Sequence, residues 1–73
     1  MPETKVPSEL NGTVWKIEVA VGDRVSEGDT LILLESMKME IPVSAPCDGV
    51  VSSILVKEEQ AVVEGETLAM VSS

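Results

Sequence analysis

Val25-Ser26-Glu27-Gly28-Asp29-Thr30-Leu31 is written a second time, 37 residues further on, as Val62-Val63-Glu64-Gly65-Glu66-Thr67-Leu68. The match runs outward in both directions. Residues 3–36 lie on residues 40–73 without a gap, and twelve of the 34 paired positions are identical, among them Gly12/Gly49, Val14/Val51, Ile17/Ile54 and Val19/Val56. Asn11/Asp48, Asp29/Glu66, Leu33/Met70 and Leu34/Val71 are near-matches. Repetition at this period marks a supersecondary unit that cannot bury its apolar face alone and is completed by its neighbour. Only Met37, Lys38 and Met39 stand between the copies, and Met1 and Pro2 precede the first. The expectation is a single domain over 1–73, with repeats 3–36 and 40–73 and a connecting tip at 37–39.

Each copy reads as β-structure. Twelve valines and four isoleucines suit a pleated, half-buried surface. Trp15, Ile17 and Val19 alternate with Lys16 and Glu18, the period of a strand with one wet face, and Ile54 and Val56 fall on the equivalent face, flanked by Ser53 and Lys57. The runs Leu31–Leu34 and Leu68–Val71 are too short for helices and read as buried strands. Asn11-Gly12, Asp48-Gly49, Gly22-Asp23, Gly28-Asp29 and Gly65-Glu66 read as turns where positive φ is tolerated. Pro7, Pro42 and Pro46 suit strand ends or edges. Two copies of about four strands predict an all-β fold: a flattened barrel or sandwich of two four-stranded antiparallel sheets with quasi-two-fold symmetry. Its expected core is Ile17, Val19, Leu31, Leu33, Ile54, Val56 and Leu68, with Trp15 capping the edge. Under such symmetry the connector is the equivalent of the chain ends, so tip and termini fall at opposite ends of the domain.

Composition removes whole classes of function. With 73 residues and a net charge of −8, the chain lacks the basic surface that nucleic acid demands. It has no histidine, tyrosine or phenylalanine, so the usual general base and metal ligand and the stacking platform are missing together. We expect no catalytic residue and no metal site; the acidic residues at 58, 59, 64 and 66 lack calcium-loop spacing and read as a solvated face. The single cysteine, Cys47, aligns with Leu10 and reads as a small buried hydrophobe in a reducing compartment. MPETKVPSEL shows no basic start followed by an apolar run, and no stretch approaches membrane-span length, so the expectation is a soluble, cytoplasmic monomer.

What remains is the tip. A lysine at a protruding turn can enter another enzyme's site without the domain unfolding, and its ammonium must be deprotonated by that enzyme. Once acylated, it becomes a long flexible tether that raises the effective concentration of whatever it carries. Two methionines beside one lysine at a turn cannot all be buried.

Glu35-Ser36-Met37-Lys38-Met39-Glu40 resembles the attachment sequence of biotinyl domains, whose hallmark is Met-Lys-Met behind a small residue; Ser36 stands where that family usually has Ala. Val21-Gly22-Asp23-Arg24-Val25-Ser26-Glu27-Gly28-Asp29-Thr30-Leu31 looks like the family's glycine-turn segment before the lysine hairpin, and Ala45-Pro46-Cys47-Asp48-Gly49-Val50-Val51 like the segment after it. The chain is similar above all to the short bacterial biotin/lipoyl attachment proteins. That resemblance implies a flattened barrel-sandwich hybrid and a non-catalytic biotin carboxyl carrier with biotin amide-linked to Lys38. Met37 and Met39 would present the lysine, and Glu35, Ser36 and Glu40 could be read by a biotin protein ligase. A biotin carboxylase would then load CO2 onto the cofactor with ATP and bicarbonate, and a carboxyltransferase would pass it to an acyl-CoA or a keto acid. Two alternatives stay open: a lipoyl carrier on the same fold, where the lysine sits typically in Asp-Lys-Ala, and an unmodified β-module that binds a protein partner through its acidic face.

Overall fold

A computed structural model describes residues 3–73; Met1 and Pro2 of the expected 1–73 domain lie outside the described residues. The described residues are all strand, turn and loop: β1 (Glu3–Pro7), β2 (Gly12–Ile17), β3 (Arg24–Val25), β4 (Thr30–Ser36), β5 (Met39–Ser44), β6 (Gly49–Ile54), β7 (Ala61–Val62) and β8 (Thr67–Ser72). They form two four-stranded antiparallel sheets, ordered β1-β8-β6-β3 and β5-β4-β2-β7. Shifting residue numbers by one repeat turns either sheet into the other.

The symmetry reaches single hydrogen bonds. Gly28 N–H donates to Ala45 O at 3.0 Å and Gly65 N–H to Ser8 O at 2.8 Å. Glu27 N–H donates to Asp48 Oδ1 and Glu64 N–H to Asn11 Oδ1, both at 2.7 Å. Ala20 N–H reaches Asp23 Oδ2 at 2.9 Å, and Lys57 N–H reaches Gln60 Oε1 at 3.0 Å. Asp23 and Gln60 close their own turns locally, whereas Asp48 and Asn11 reach across to the turn of the other copy.

Between the sheets lie Val14, Leu31, Ile32 and Leu34 from one copy and Val51, Leu68, Ala69 and Val71 from the other, all fully buried. Each large aliphatic side chain so buried contributes roughly 1.5–3 kcal/mol. Val56 belongs to this core as expected, while Ile17, Val19 and Ile54 are half-buried against it. Leu33 is not part of it; its neighbours Ile32 and Leu34 are. The reason is a β-bulge, in which two residues oppose one and the alternation of faces is reset. Thr30 pairs with Ser44 and Ile32 with Val43, so Leu31 is the extra residue and both Leu31 and Ile32 turn inward. The second copy bulges likewise at Leu68, between the Val6–Ala69 and Pro7–Thr67 pairs.

A further pair of bulges corrects the place of Trp15. Val14 pairs with Leu34 and Lys16 with Leu33, which leaves Trp15 as the extra residue, 47% exposed on the outside instead of capping the core. The equivalent bulge in β6, between Val51 and Ser53, carries Ser52. The turn reading of Asn11-Gly12 and Asp48-Gly49 is also corrected in part. Gly12 and Gly49 open strands β2 and β6 without positive φ, and glycine is required there by close approach: a Cβ on Gly12 would stand 2.9 Å from Glu35 O, and one on Gly49 would collide with Ser72 O. Gly22, Gly28 and Gly65 do hold positive φ. Cys47 is half-buried against the core, its Sγ–H pointing to Thr4 Oγ1 at 3.8 Å.

The register separates the two ends of a molecule 36 Å long and 17 Å across. Ser72 pairs with both Glu3 and Val50, and Val50 with Arg24 of β3, the strand that leads into the turn starting β4. Strand β4 then runs seven residues away from that end, to Ser36. The terminal rung and the β4–β5 connection therefore lie at opposite ends.

Candidate functional site

Strands β4 and β5 pair down to Ser36 and Met39, so the connector is a two-residue loop of Met37 and Lys38, and Met39 already belongs to β5. A right-handed strand twist matches a two-residue loop only when both residues take positive φ, the type I′ turn. Met37 at +51° and Lys38 at +65° do so. Neither is glycine or asparagine, and the left-handed region costs an ordinary residue about 1–2 kcal/mol. The repeat spacing predicts a three-residue tip, 37–39, and carries no signal for this geometry.

The consequence is presentation. Met37 is 92% exposed, Met39 is 63% exposed, and Lys38 is exposed between them. Among the described residues, no carboxylate lies within ion-pairing distance of the Lys38 ammonium; the ion pair the fold does make joins Lys16 and Glu18 at 3.6 Å. Lys5, Lys16 and Lys57 are exposed too, but Lys5 and Lys16 lie within β1 and β2 and Lys57 beside the turn after β6. The fold thus places one lysine, of those it describes, on a hairpin turn at the far end from the Glu3–Ser72 rung.

The remaining residues of the hexapeptide occupy the two rungs below. Ser36, half-buried, pairs with Met39, and Glu35 pairs with Glu40, both exposed on the same face. Like charges directly opposite each other on a sheet are destabilising. All six residues singled out, 35–40, are brought together on one hairpin. A cleft of about 300 Å³ opens between the edges of β1 and β5, lined by Val6, Leu10, Ile41 and Val43 among others, and it takes in none of residues 35–40. The lysine is displayed, not enclosed. Among the described residues no three His, Cys, Asp or Glu gather in a metal-binding group, and no helix is long and apolar enough to cross a membrane.

Residues 3–71 match the family described as biotin-requiring enzyme. The chain is 40% identical over 68 residues to a biotin/lipoyl attachment protein of Bacillus subtilis, covering 93% of each chain. It is 42% identical over 67 residues to the biotinylated protein TB7.3 homolog of Mycobacterium leprae, covering 92% of this chain and 94% of the relative. The urea carboxylase of Kluyveromyces lactis contains the same fold: TM-score 0.93 at 38% identity, over 99% of this chain and 6% of that one.

Proposed function

This chain belongs to the biotin-requiring enzyme family, and we propose on that premise that Lys38 is the residue that carries its biotin. The chain is a biotin carboxyl carrier, a non-catalytic part of a carboxylase system, as its biotin carboxyl carrier relatives and its carboxylase structural neighbour indicate.

The observation that carries the assignment to Lys38 is the turn. A type I′ turn of two ordinary residues spends stability to hold one amine outward, unpaired among the described residues, at the end remote from the Glu3–Ser72 rung. The amine fits an amide link: it is a primary amine on a four-carbon stem with open approach from solvent. A biotin protein ligase would deprotonate it and join it to an activated biotin carboxyl, expelling the activating group. When bound, biotin supplies a ring nitrogen that takes up and gives up a carboxyl group. The chain supplies reach, orientation and a fold that does not yield as the tip is drawn into successive sites. Met37 and Met39 offer two adaptable apolar contacts to those sites.

Partners follow from that role: the ligase, then the biotin carboxylase and carboxyltransferase of one carboxylase. The working unit is a monomer, since each sheet covers the other's apolar face, and the unpaired Cys47 supports a reducing, cytoplasmic setting. Intact mass of the chain from cells with an active ligase tests the reading. One biotinyl group per chain is expected, mapping to the peptide that contains Lys38; a lipoyl group, or no modification, would contradict it.

A further inference from the structure

The repeated strand topology makes each sheet a control for the other, and their outer faces differ. On the sheet without the lysine, the bulge in β6 carries Ser52, whose hydroxyl donates to Glu3 Oε2 at 2.6 Å and stands 3.2 Å from Met70 O. On the sheet with the lysine, the same bulge carries Trp15. The fold needs no tryptophan at that position, because its own second copy builds the bulge with serine.

Trp15 bulges out between the Val14–Leu34 and Lys16–Leu33 pairs, beside Leu33, whose side chain faces outward because Ile32 and Leu34 face in. Two rungs nearer the tip lie Glu35 and Glu40, directly opposite each other. The equivalent rung of the other sheet pairs Ser72 with Glu3, so a like-charge pair occurs on the lysine side alone. Neither glutamate has a cationic partner among the described residues. A half-exposed indole beside two uncompensated carboxylates suits a partner with an apolar seat flanked by Arg or Lys.

We propose that this outer face of the β5-β4-β2-β7 sheet is the seat of the ligase that acylates Lys38, with Trp15 as its apolar anchor and the Glu35–Glu40 pair meeting a basic group. The choice of occupant follows from reach. The enzyme that forms a bond to Nζ must come within one lysine side chain of the turn, and so covers the rungs beneath it. Enzymes that act on the far end of the finished arm need not. The inference rests on the reading that Lys38 is the acceptor.

Trp15 is the only tryptophan in the chain, so 5-fluorotryptophan labelling gives a single fluorine resonance. Adding unlabelled ligase that biotinylates this chain should shift or broaden it, in the wild type and equally in Lys38→Arg, which takes no biotin. In steady-state biotinylation, Trp15→Ser should raise KM about ten-fold with kcat little changed, the scale of a buried aromatic anchor. Glu35→Gln with Glu40→Gln should raise KM at low ionic strength and flatten its salt dependence. A resonance that stays put under saturating ligase, or a Trp15→Ser variant with wild-type KM, overturns the proposal even where Lys38 is biotinylated. A resonance that moves with the chain's own concentration, or a Trp15→Ser defect confined to carboxyl loading, overturns the assignment to the ligase. Failure to biotinylate Lys38 at all would instead strike the reading beneath it.

Discussion

Gly22 and Glu59 occupy the same place in the two copies and hold the same left-handed backbone, with φ of +98° and +72°. Each donates its N–H to the opposite sheet, Gly22 to Val51 O at 2.8 Å and Glu59 to Val14 O at 2.6 Å. The fold imposes the conformation and the side chain submits to it. Glu59 bears the steric cost of the left-handed region, about 1–2 kcal/mol, part of which glycine's larger entropy loss would offset. Glu59→Gly should therefore stabilise the chain by about 0.5–1 kcal/mol. Gly22→Ala should destabilise it by about as much or more. Urea midpoints of the two variants against wild type decide this.

Leu31 and Leu68 are the extra residues of equivalent bulges and both are fully buried. Truncating either to Ala should cost about 2–5 kcal/mol. That is a large fraction of the total for a small domain. The measurement belongs on unmodified protein, because the core contains no part of the tip. Cooperative unfolding of the apo chain, with both variants similarly weakened, is the expected result; an apo chain that is disordered until acylated would show that the tip is not an appendage.

On the proposed function, Met37 and Met39 are the residues that select which cofactor the hairpin receives. Both are exposed, so they answer to a modifying enzyme and not to the core. A pocket fitted to two thioether chains should lose binding when one is replaced by a charge it cannot pair. Met37→Asp with Met39→Ala should lower biotinylation at least ten-fold and raise lipoylation, in matched assays with the two ligases. Equal biotinylation of both proteins would place the selection elsewhere.

The sheets, the symmetry and the lysine's position were legible because each rests on repeated apolar spacing. Val14, Val51, Leu31 and Leu68 recur in register and all are buried. What escaped was set by pairing across strands. Trp15 alternates correctly with Lys16 along the chain, yet a bulge moves it outside, and a bulge exists only relative to the facing strand. Gly12 and Gly49 looked like turn glycines because the clash that demands them involves Glu35 O and Ser72 O, more than twenty residues away in each case. The left-handed Met37, Lys38 and Glu59 carry no mark in their own chemistry.

The central claim is that Lys38, of the lysines at positions 5, 16, 38 and 57, alone accepts biotin. Lys38→Arg keeps the charge and the turn while removing the acylable amine. Intact mass spectrometry after exhaustive treatment with ligase, biotin and ATP should show one biotinyl group on every wild-type chain and none on the variant, at unchanged thermal stability. Biotin on a stably folded Lys38→Arg chain would contradict the account.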